Sequence, residues 1–438
     1  MINFSPSRDF ARQLDSQDPL ASYREQFVIK DPDLIYLDGN SLGRMPKAVI
    51  ERMQKAVVEE WGGELIRGWN KGWWEAPIRI GEKIASILGA AESQVIVSDQ
   101  TSLNLYKVAT AALALRPNRK RIITDTFNFP SDLYILQGIV KLLSSGGRVA
   151  PHVPGGAYRD HEIIRIGATD DDITPDLTAL ETALNEDTAL ITLSHVTFKS
   201  GYLYDMARIT ELAHRKGALV LWDLSHAAGA VPVELDRCDV DFAIGCTYKY
   251  LNGGPGAPAF IYVNKRLQND AVSPIWGWWG QAKPFDFGLD YTPAPGMQRF
   301  LAGTAPMLSM IALETGITPI LDAGLTRLRE KSILMTDYAS FLTDHLLAPL
   351  GFFLGSPRDS ARRGSHISIR HADGYRINRA LIEEMNVVPD FREPDNIRLG
   401  FAPLYTSIVE VWEGFDRIKR VMAENLPEKY TKQKLTVT

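Results

Sequence analysis

Residues 219–263 read LVLWDLSHAAGAVPVELDRCDVDFAIGCTYKYLNGGPGAPAFIYV. The run 219–222 is large and apolar and stops at Asp223. A strand buried on both faces of a parallel sheet has that composition. In open α/β sheets the ligand crevice lies beyond the carboxyl ends of the strands, so Asp223 belongs beside a ligand. A second apolar segment, 241–246, ends in Thr247, Tyr248, Lys249 and Tyr250. A glycine-rich loop at 252–256 leads to a third apolar run at 259–263.

Asp223 and Lys249 are 249 − 223 = 26 residues apart. That leaves room for a connection and a second strand that return the chain to the same sheet edge. One chemistry asks for this pair. Pyridoxal phosphate is tethered to a lysine as a Schiff base, and an acid partners its pyridinium nitrogen. The acid keeps that nitrogen protonated, so the ring accepts the electrons of a substrate carbanion. The lysine has to shed its proton, which desolvation and neighbouring cations favour. An arbitrary Asp and Lys would more often be a capping acid and a solvated amine; the motif around these two decides.

The bulk properties narrow the class. A chain of 438 residues suits a large domain plus a smaller one. The net charge is −5 and no long basic run occurs, which argues against nucleic acid as a partner. The two cysteines, Cys238 and Cys246, form neither a metal-type CxxC nor a disulfide framework. Cys246 sits in an apolar run and reads as an inert core thiol. The first twenty residues lack the apolar core of a signal peptide, and no apolar stretch approaches bilayer length. The expectation is a cytoplasmic protein without a membrane partner and without a metal. The last nine residues, YTKQKLTVT, read as a frayed polar end.

Several other stretches carry chemistry. Helical spacing at 46–60 precedes WGGELIRGWNKGWW at 61–74, with four tryptophans. Such a cluster packs against something: the core, a second subunit, or an aromatic substrate, for which Trp69 is the candidate wall. Ser98, Asp99 and Thr101 read as N-caps for a helix at 103–115, and a helix N-terminus also suits a phosphate. FNFPSD at 127–132 follows a strand at 121–124, its loop stiffened by Pro130. After a strand at 188–193, the lone His195 reads as a packed side chain rather than a base. A helix at 205–216 stops at Gly217. Residues 273–306 are too rich in Gly, Trp and Pro for one regular element, and long ordered loops are usually functional. Helices at 307–321 and 325–347 lead into the C-terminal third. There the strand at 397–401 carries Arg398 among apolar neighbours. A buried arginine needs an anion, and its planar fork fits a carboxylate.

DLSHAAGAVP at 223–232 and CTYKYLNGGPGAP at 246–258 resemble the cofactor segment of kynureninase, a pyridoxal-phosphate-dependent family related to class-V aminotransferases. YLDGNSLG at 36–43, FNFPSD at 127–132, GWWG at 277–280 and IRLGFAPLY at 397–405 resemble it too, in the family's order over nearly the whole chain. The resemblance implies the aspartate-aminotransferase-like, type I fold of pyridoxal-phosphate enzymes: α/β, with a mostly parallel sheet in a large domain. That domain would span 50–315, with a smaller α+β domain built from 1–49 and 316–438. The resemblance further implies a homodimer with shared active sites. It puts Thr101 and Ser102 at the cofactor phosphate and Phe129 against the ring. Pro130, Ser131, Asp132, Ser194 and His226 surround that ring, with Asp223, Tyr248 and Lys249. Trp278 and Thr304 would hold the other subunit's phosphate, and Gly303 with Thr304 would line its substrate pocket. Asn40, Ser41 and Leu42 would lie near the substrate, whose α-carboxylate Arg398 would bind. Some members have Asn where this chain has Thr304, which leaves the choice between kynurenine and 3-hydroxykynurenine open. The implied activity is hydrolysis of the Cβ–Cγ bond, giving anthranilate, or its 3-hydroxy form, and L-alanine in tryptophan catabolism. Lys249 would move the Cα proton and Tyr248 would donate one. Two other readings stay open: a cysteine desulfurase or aminotransferase of the same fold, and a cofactor-binding regulator without turnover. A desulfurase needs a reactive cysteine on a mobile loop, whereas both cysteines here precede Lys249.

Overall fold

The computed structural model describes residues 2–144, 161–431 and 433. Its central sheet has seven strands: β1 (Val95–Val97), β2 (Arg121–Asp125), β3 (Glu162–Ile166), β4 (Thr188–Ser194), β5 (Leu219–Asp223), β6 (Phe242–Gly245) and β7 (Phe260–Val263). They lie in the order β1-β7-β6-β5-β4-β2-β3. Strand β7 runs antiparallel to both neighbours, and the pairs from β6 across to β3 are parallel. Every residue of β4 to β7 is buried, which is why these strands are written as unbroken apolar runs. The two faces still divide by alternation. Val220 and Trp222 join one core cluster with Ile191 and Leu193, while Leu219 and Leu221 join another with Phe242 and Ile244.

Three helices matter for the site: α1 (Thr101–Ala114), α2 (Pro130–Ser144) and α3 (Met206–Arg215). The Asp205 side chain caps α3 by accepting from Arg208 N, and Gly217 follows at φ 72°. The helix read at 46–60 runs regularly over Ala48–Lys55 and then widens into a π-helical stretch, Ala56–Glu64.

A second, antiparallel sheet holds β8 (Phe353–Leu354), β9 (His366–Arg370), β10 (Asp390–Arg392) and β11 (Asn396–Gly400), in the order β8-β9-β11-β10. Helices α4 (Leu325–Leu342), α5 (Gly374–Met385) and α6 (Ile408–Ala423) pack with it. Their shared core includes Met335, Ile367, Ile377, Leu399 and Phe415, and also Ala11, Ile35 and Leu37 from the N-terminal segment. Helix α6 opens with a full capping box between Ser407 and Glu410. Of the polar end at 430–438, all but three residues lie outside the described residues.

The loop at 38–43 is pinned where β11 ends. Gly400 N donates to Leu37 O at 2.6 Å. A Cβ on Gly400 would stand 1.8 Å from Oδ1 and 2.4 Å from Cγ of Asn40, a side chain with no exposed surface. Gly400→Ala is therefore expected to cost about 1–3 kcal/mol by overpacking. Its urea midpoint should fall at unchanged slope; an unchanged midpoint would mean that Asn40 is not held there.

Candidate active site

A cavity of about 230 Å³ opens beyond the carboxyl ends of β4 and β5. Ser194 and Asp223, the last residues of those strands, sit side by side in register and both line it. One Asp223 oxygen accepts the Ser225 N–H at 2.8 Å. A second carboxyl, Asp132 in the first turn of α2, is hydrogen-bonded to Asp223. Burial and the neighbouring Asp223 charge hold the Asp132 pKa well above the carboxylate range, so Asp132 keeps the shared proton and donates it to Asp223.

Lys249 faces this pair from the loop after β6. Its Nζ lies 2.9 Å from His226 Nε2. Burial and then the Lys249 charge push the His226 pKa well down, so the imidazole is neutral and accepts from the amine. His226 Nδ1 is buried without a hydrogen-bond partner among the described residues. Tyr248 lines the same wall. The adjacent Cys246 sulfur and burial push its phenol up, so it remains a proton donor through neutral pH. Burial likewise pushes the Cys246 thiol up, in keeping with an inert core cysteine. Burial takes His195 down to about 4; it packs on Trp222 with ring centroids 5.6 Å apart and stays neutral.

Two helix N-termini converge on the cavity. The residue before α1 is Gln100, and its side chain makes no capping bond. Sequence reading gave that task to Ser98, Asp99 or Thr101, and the structure corrects it. Ser98 Oγ donates to Asp99 at 2.6 Å, and Asp99 is drawn to the buried ammonium of Lys107. The N-terminal amides of α1 thus keep no side-chain acceptor, and Thr101 and Ser102 line the cavity. Ser102 Oγ lies 3.0 Å from Ser131 Oγ on α2. The loop between β2 and α2 is fixed from below: Asp125 accepts the Phe127 and Asn128 amides at 2.9 and 2.7 Å. Asn128 in turn accepts from Ser194 Oγ at 2.7 Å. Phe129, at the end of this loop, shows its ring to the cavity and meets Phe198 edge-on at 5.4 Å.

The far wall belongs to the second sheet. Arg398 on β11 is 1% exposed. Its Nη1 donates to Phe198 O and its Nη2 to Ser41 Oγ, both at 2.7 Å, and it forms an ion pair with Asp390. Asp38 stands 3.9 Å away. Burial and the Asp390 charge raise the Asp38 carboxyl to about 7.

Ser41, Phe129, Ser131, Asp132, Ser194 and Arg398 thus meet Thr101, Ser102, Asp223, His226, Tyr248 and Lys249 around one space. The other residues singled out from sequence lie elsewhere in this chain. Asn40 is packed beneath Gly400 and does not reach the cavity. Pro130 is the exposed first residue of α2, and Leu42 is exposed. Trp69 packs on Trp279 and Trp278 with centroids 5.3 and 6.3 Å apart. Trp278, Gly303 and Thr304 are on the surface. Two lining residues were missed, Ser225 and Arg392. Ser225 was within the quoted motif; Arg392 had no signal beyond its place six residues before Arg398.

Residues 328–418 match the kynureninase C-terminal domain family. The kynureninase of Pseudomonas fluorescens is 40% identical over 421 residues, covering 95% of each chain. That of Burkholderia mallei strain SAVP1 is 40% identical over 438 residues, covering 98% of this chain and all of the relative. The chain belongs to the kynureninase family. It therefore falls among hydrolases that use pyridoxal phosphate. Among solved structures, an apo cysteine desulfurase from Thermococcus onnurineus NA1 superposes with a TM-score of 0.76 at 19% identity, covering 92% of this chain and 98% of that one. A C-DES mutant with glycine covalently linked to its cofactor superposes at 0.74 and 18% identity, covering 90% and 98%. These two share the fold, which is that of type I pyridoxal-phosphate enzymes.

The residues in the cavity fit this cofactor. Uncapped helix amides and hydroxyls suit a phosphate, the Asp223 carboxylate suits a protonated ring nitrogen, and among the described residues Lys249 is the one lysine lining the space.

The raised Asp38 carboxyl sets a stability term with a definite sign. An unfolded Asp titrates near 4, whereas Asp38 in the native state titrates at about 7. The native state therefore binds this proton more tightly. Its contribution is complete below about pH 4 and is lost as the pH rises to about 7. Asp38→Asn should accordingly gain on the parent chain in urea midpoint between pH 4 and pH 7; a difference independent of pH would contradict the assignment.

Proposed function

We propose that this chain hydrolyses L-kynurenine, or 3-hydroxykynurenine, to anthranilate, or 3-hydroxyanthranilate, and L-alanine. The observation that carries the reading is the opposition, in one cavity, of the Asp132–Asp223 pair and Lys249 to the buried guanidinium of Arg398. Bound pyridoxal phosphate supplies the electron sink that lets bonds to the substrate's Cα, and then the Cβ–Cγ bond, break.

The chain's own residues do the rest. Thr101, Ser102 and the α1 amides hold the phosphate; Asp223 pairs with the ring nitrogen, and Asp132 fixes Asp223 in turn. Phe129 covers one ring face, Pro130 and Ser131 border it, and Ser194 and His226 line its edge. Lys249 tethers the cofactor and, once displaced, carries the Cα proton. His226, held neutral, accepts from the Lys249 amine without adding charge beside it. Arg398 with Ser41 fixes the substrate carboxylate and so the direction of the Cα–H bond. Tyr248, protonated throughout, donates to the carbonyl oxygen or to Cβ. The part of Asn40 is to brace the loop that carries Ser41.

Residues 50–315 act as the cofactor-binding domain, and 1–49 with 316–438 as the domain that brings Arg398. A homodimer with shared sites completes the assembly. Support comes from an exposed apolar band: Val58, Trp61, Leu65 and Ile66 on one segment, and Trp276, Phe285, Phe287 and Leu289 on another. The two segments are joined through Trp69, Trp74 and Trp278. A patch of this kind marks a protein contact. In the dimer Trp278 and Thr304 reach the partner's phosphate, Gly303 borders its substrate, and Trp69 backs that wall. No single helix among the described residues is long and apolar enough to cross a membrane, and the setting proposed is the cytoplasm.

Release of fluorescent anthranilate from added kynurenine tests the reaction, and pyruvate formation instead would redirect it to transamination. Lys249→Ala is expected to lose at least about 10³-fold in kcat. Ordinary turnover by that variant would end the assignment. Co-expression of Lys249→Ala with Trp278→Ala chains should restore part of the activity through mixed dimers; no restoration would argue against shared sites.

A further inference from the structure

Arg392 has no part in the scheme above, yet it lines the cavity beside Arg398. Strand β10 is the outer strand of the small sheet. Asp390 pairs in register with Arg398 across the β10–β11 ladder. Side chains alternate along a strand, so Asp390 and Arg392 leave β10 on the same face, toward the cavity. Asp390 Oδ2 meets both guanidiniums: Arg392 Nη2 at 2.8 Å, and Arg398 Nη2 in the ion pair already described. One carboxylate oxygen thus holds the two arginines side by side.

Their remaining donors matter. The Nε atoms of Arg392 and of Arg398 are both buried and have no hydrogen-bond partner among the described residues. Nη1 and Nη2 of Arg398 are already engaged by Phe198 O, Ser41 and Asp390. Buried donors are rarely left unmatched, and each costs free energy until an acceptor arrives. If Arg392 served only to steady Asp390, its Nη2 alone would suffice. The charges agree with an incoming anion. Two guanidiniums face Asp390 and Asp38, and burial raises Asp38 to about 7, so at neutral pH the cluster is short of negative charge.

We propose that Arg392 is a second ligand of the substrate's α-carboxylate, its guanidinium donating to one carboxylate oxygen while that of Arg398 serves the other. This rests on the assignment of Arg398 given under the proposed function. It makes the site selective for a free α-carboxylate over an amide of the same amino acid. Asp390 is then the hinge of the pair, keeping both guanidiniums at one carboxylate's width, and a ligand carboxylate takes the donors that Asp390 leaves open.

The test is calorimetric titration of the holoenzyme with L-alanine and with L-alaninamide, which keeps the amine and Cα but loses the carboxylate charge. Arg392→Gln should weaken L-alanine about 10- to 100-fold, the span of a charge-assisted hydrogen bond, and L-alaninamide less than about twofold. Arg392→Lys, which keeps charge but not Nε, should show the same one-sided loss at smaller size, and it carries the test should the Gln variant not fold. Equal weakening of both probes, or of neither, would overturn the proposal and leave Arg392 as a support for Asp390. Arg398→Gln, titrated alongside, separates the two assignments. A selective loss there with none in Arg392→Gln sinks the second ligand alone, whereas a parent enzyme that binds both probes alike sinks both.

Discussion

A negative charge kept inside a buried cavity is the constraint on which the rest of this structure turns. Asp223 ends a strand whose every residue is buried, where an isolated carboxylate is costly. Three local features offset that cost. The Ser225 amide donates to it. Asp132, whose burial and proximity to Asp223 raise its own pKa, donates a proton rather than contributing a second charge. Lys249 lines the same cavity, and its charge acts on the pair. The type I fold makes this affordable because parallel strands end together, so that β2, β4 and β5 deliver the Asn128 loop, Ser194 and Asp223 to one edge in fixed register.

The second sheet completes the cavity through contacts that run between the two sheets. Phe198, in the loop after β4, gives its carbonyl to Arg398 and its ring to Phe129. Ser368 on β9 donates to Lys199 O at 2.6 Å, and Tyr202 bridges to Arg363. The Arg398 end and the Phe129 end of the cavity are therefore coupled through one short loop, 196–203. A shift of that loop would move the aromatic face and the guanidinium together.

Reading the sequence recovered the parts that burial and turn chemistry dictate. Strands β4 to β7 were legible because both faces are covered, so hydrophobicity runs without interruption. Arg398 was legible as a charge among apolar neighbours, Asp223 as the acid at which an apolar run stops, and Lys249 by its spacing from Asp223 and the motif around it. The start of α1 was misread because Asp99 looks like a cap in sequence, while in space it serves the buried Lys107, eight residues on. Asn40 sits in a quoted motif but faces β11, since only the pairing of Leu37 with Gly400 decides which side of that loop turns inward. Arg392 lies in a stretch of charged and turn-forming residues that reads as surface. Its importance comes from strand pairing with β11, a non-local fact. The tryptophans at 61–74 declared that something covers them, but not what.

Burial, and after it the distribution of charge around the cavity, explains why His226 and the neighbouring His366 are neutral. Guanidiniums occupy one end, and the Asp132–Asp223 pair the other, with the Lys249 amine beside that pair. His226 is hydrogen-bonded to Lys249, and His366 packs on it with ring centroids 5.3 Å apart. Burial, Lys249 and Arg398 all act to depress both imidazoles far below neutrality. A charged histidine here would oppose the guanidiniums at low effective dielectric, where a unit charge at about 4 Å is felt several-fold more strongly than in water. The neutral His226 ring leaves a lone pair next to Lys249 that accepts its hydrogen bond without a change of charge.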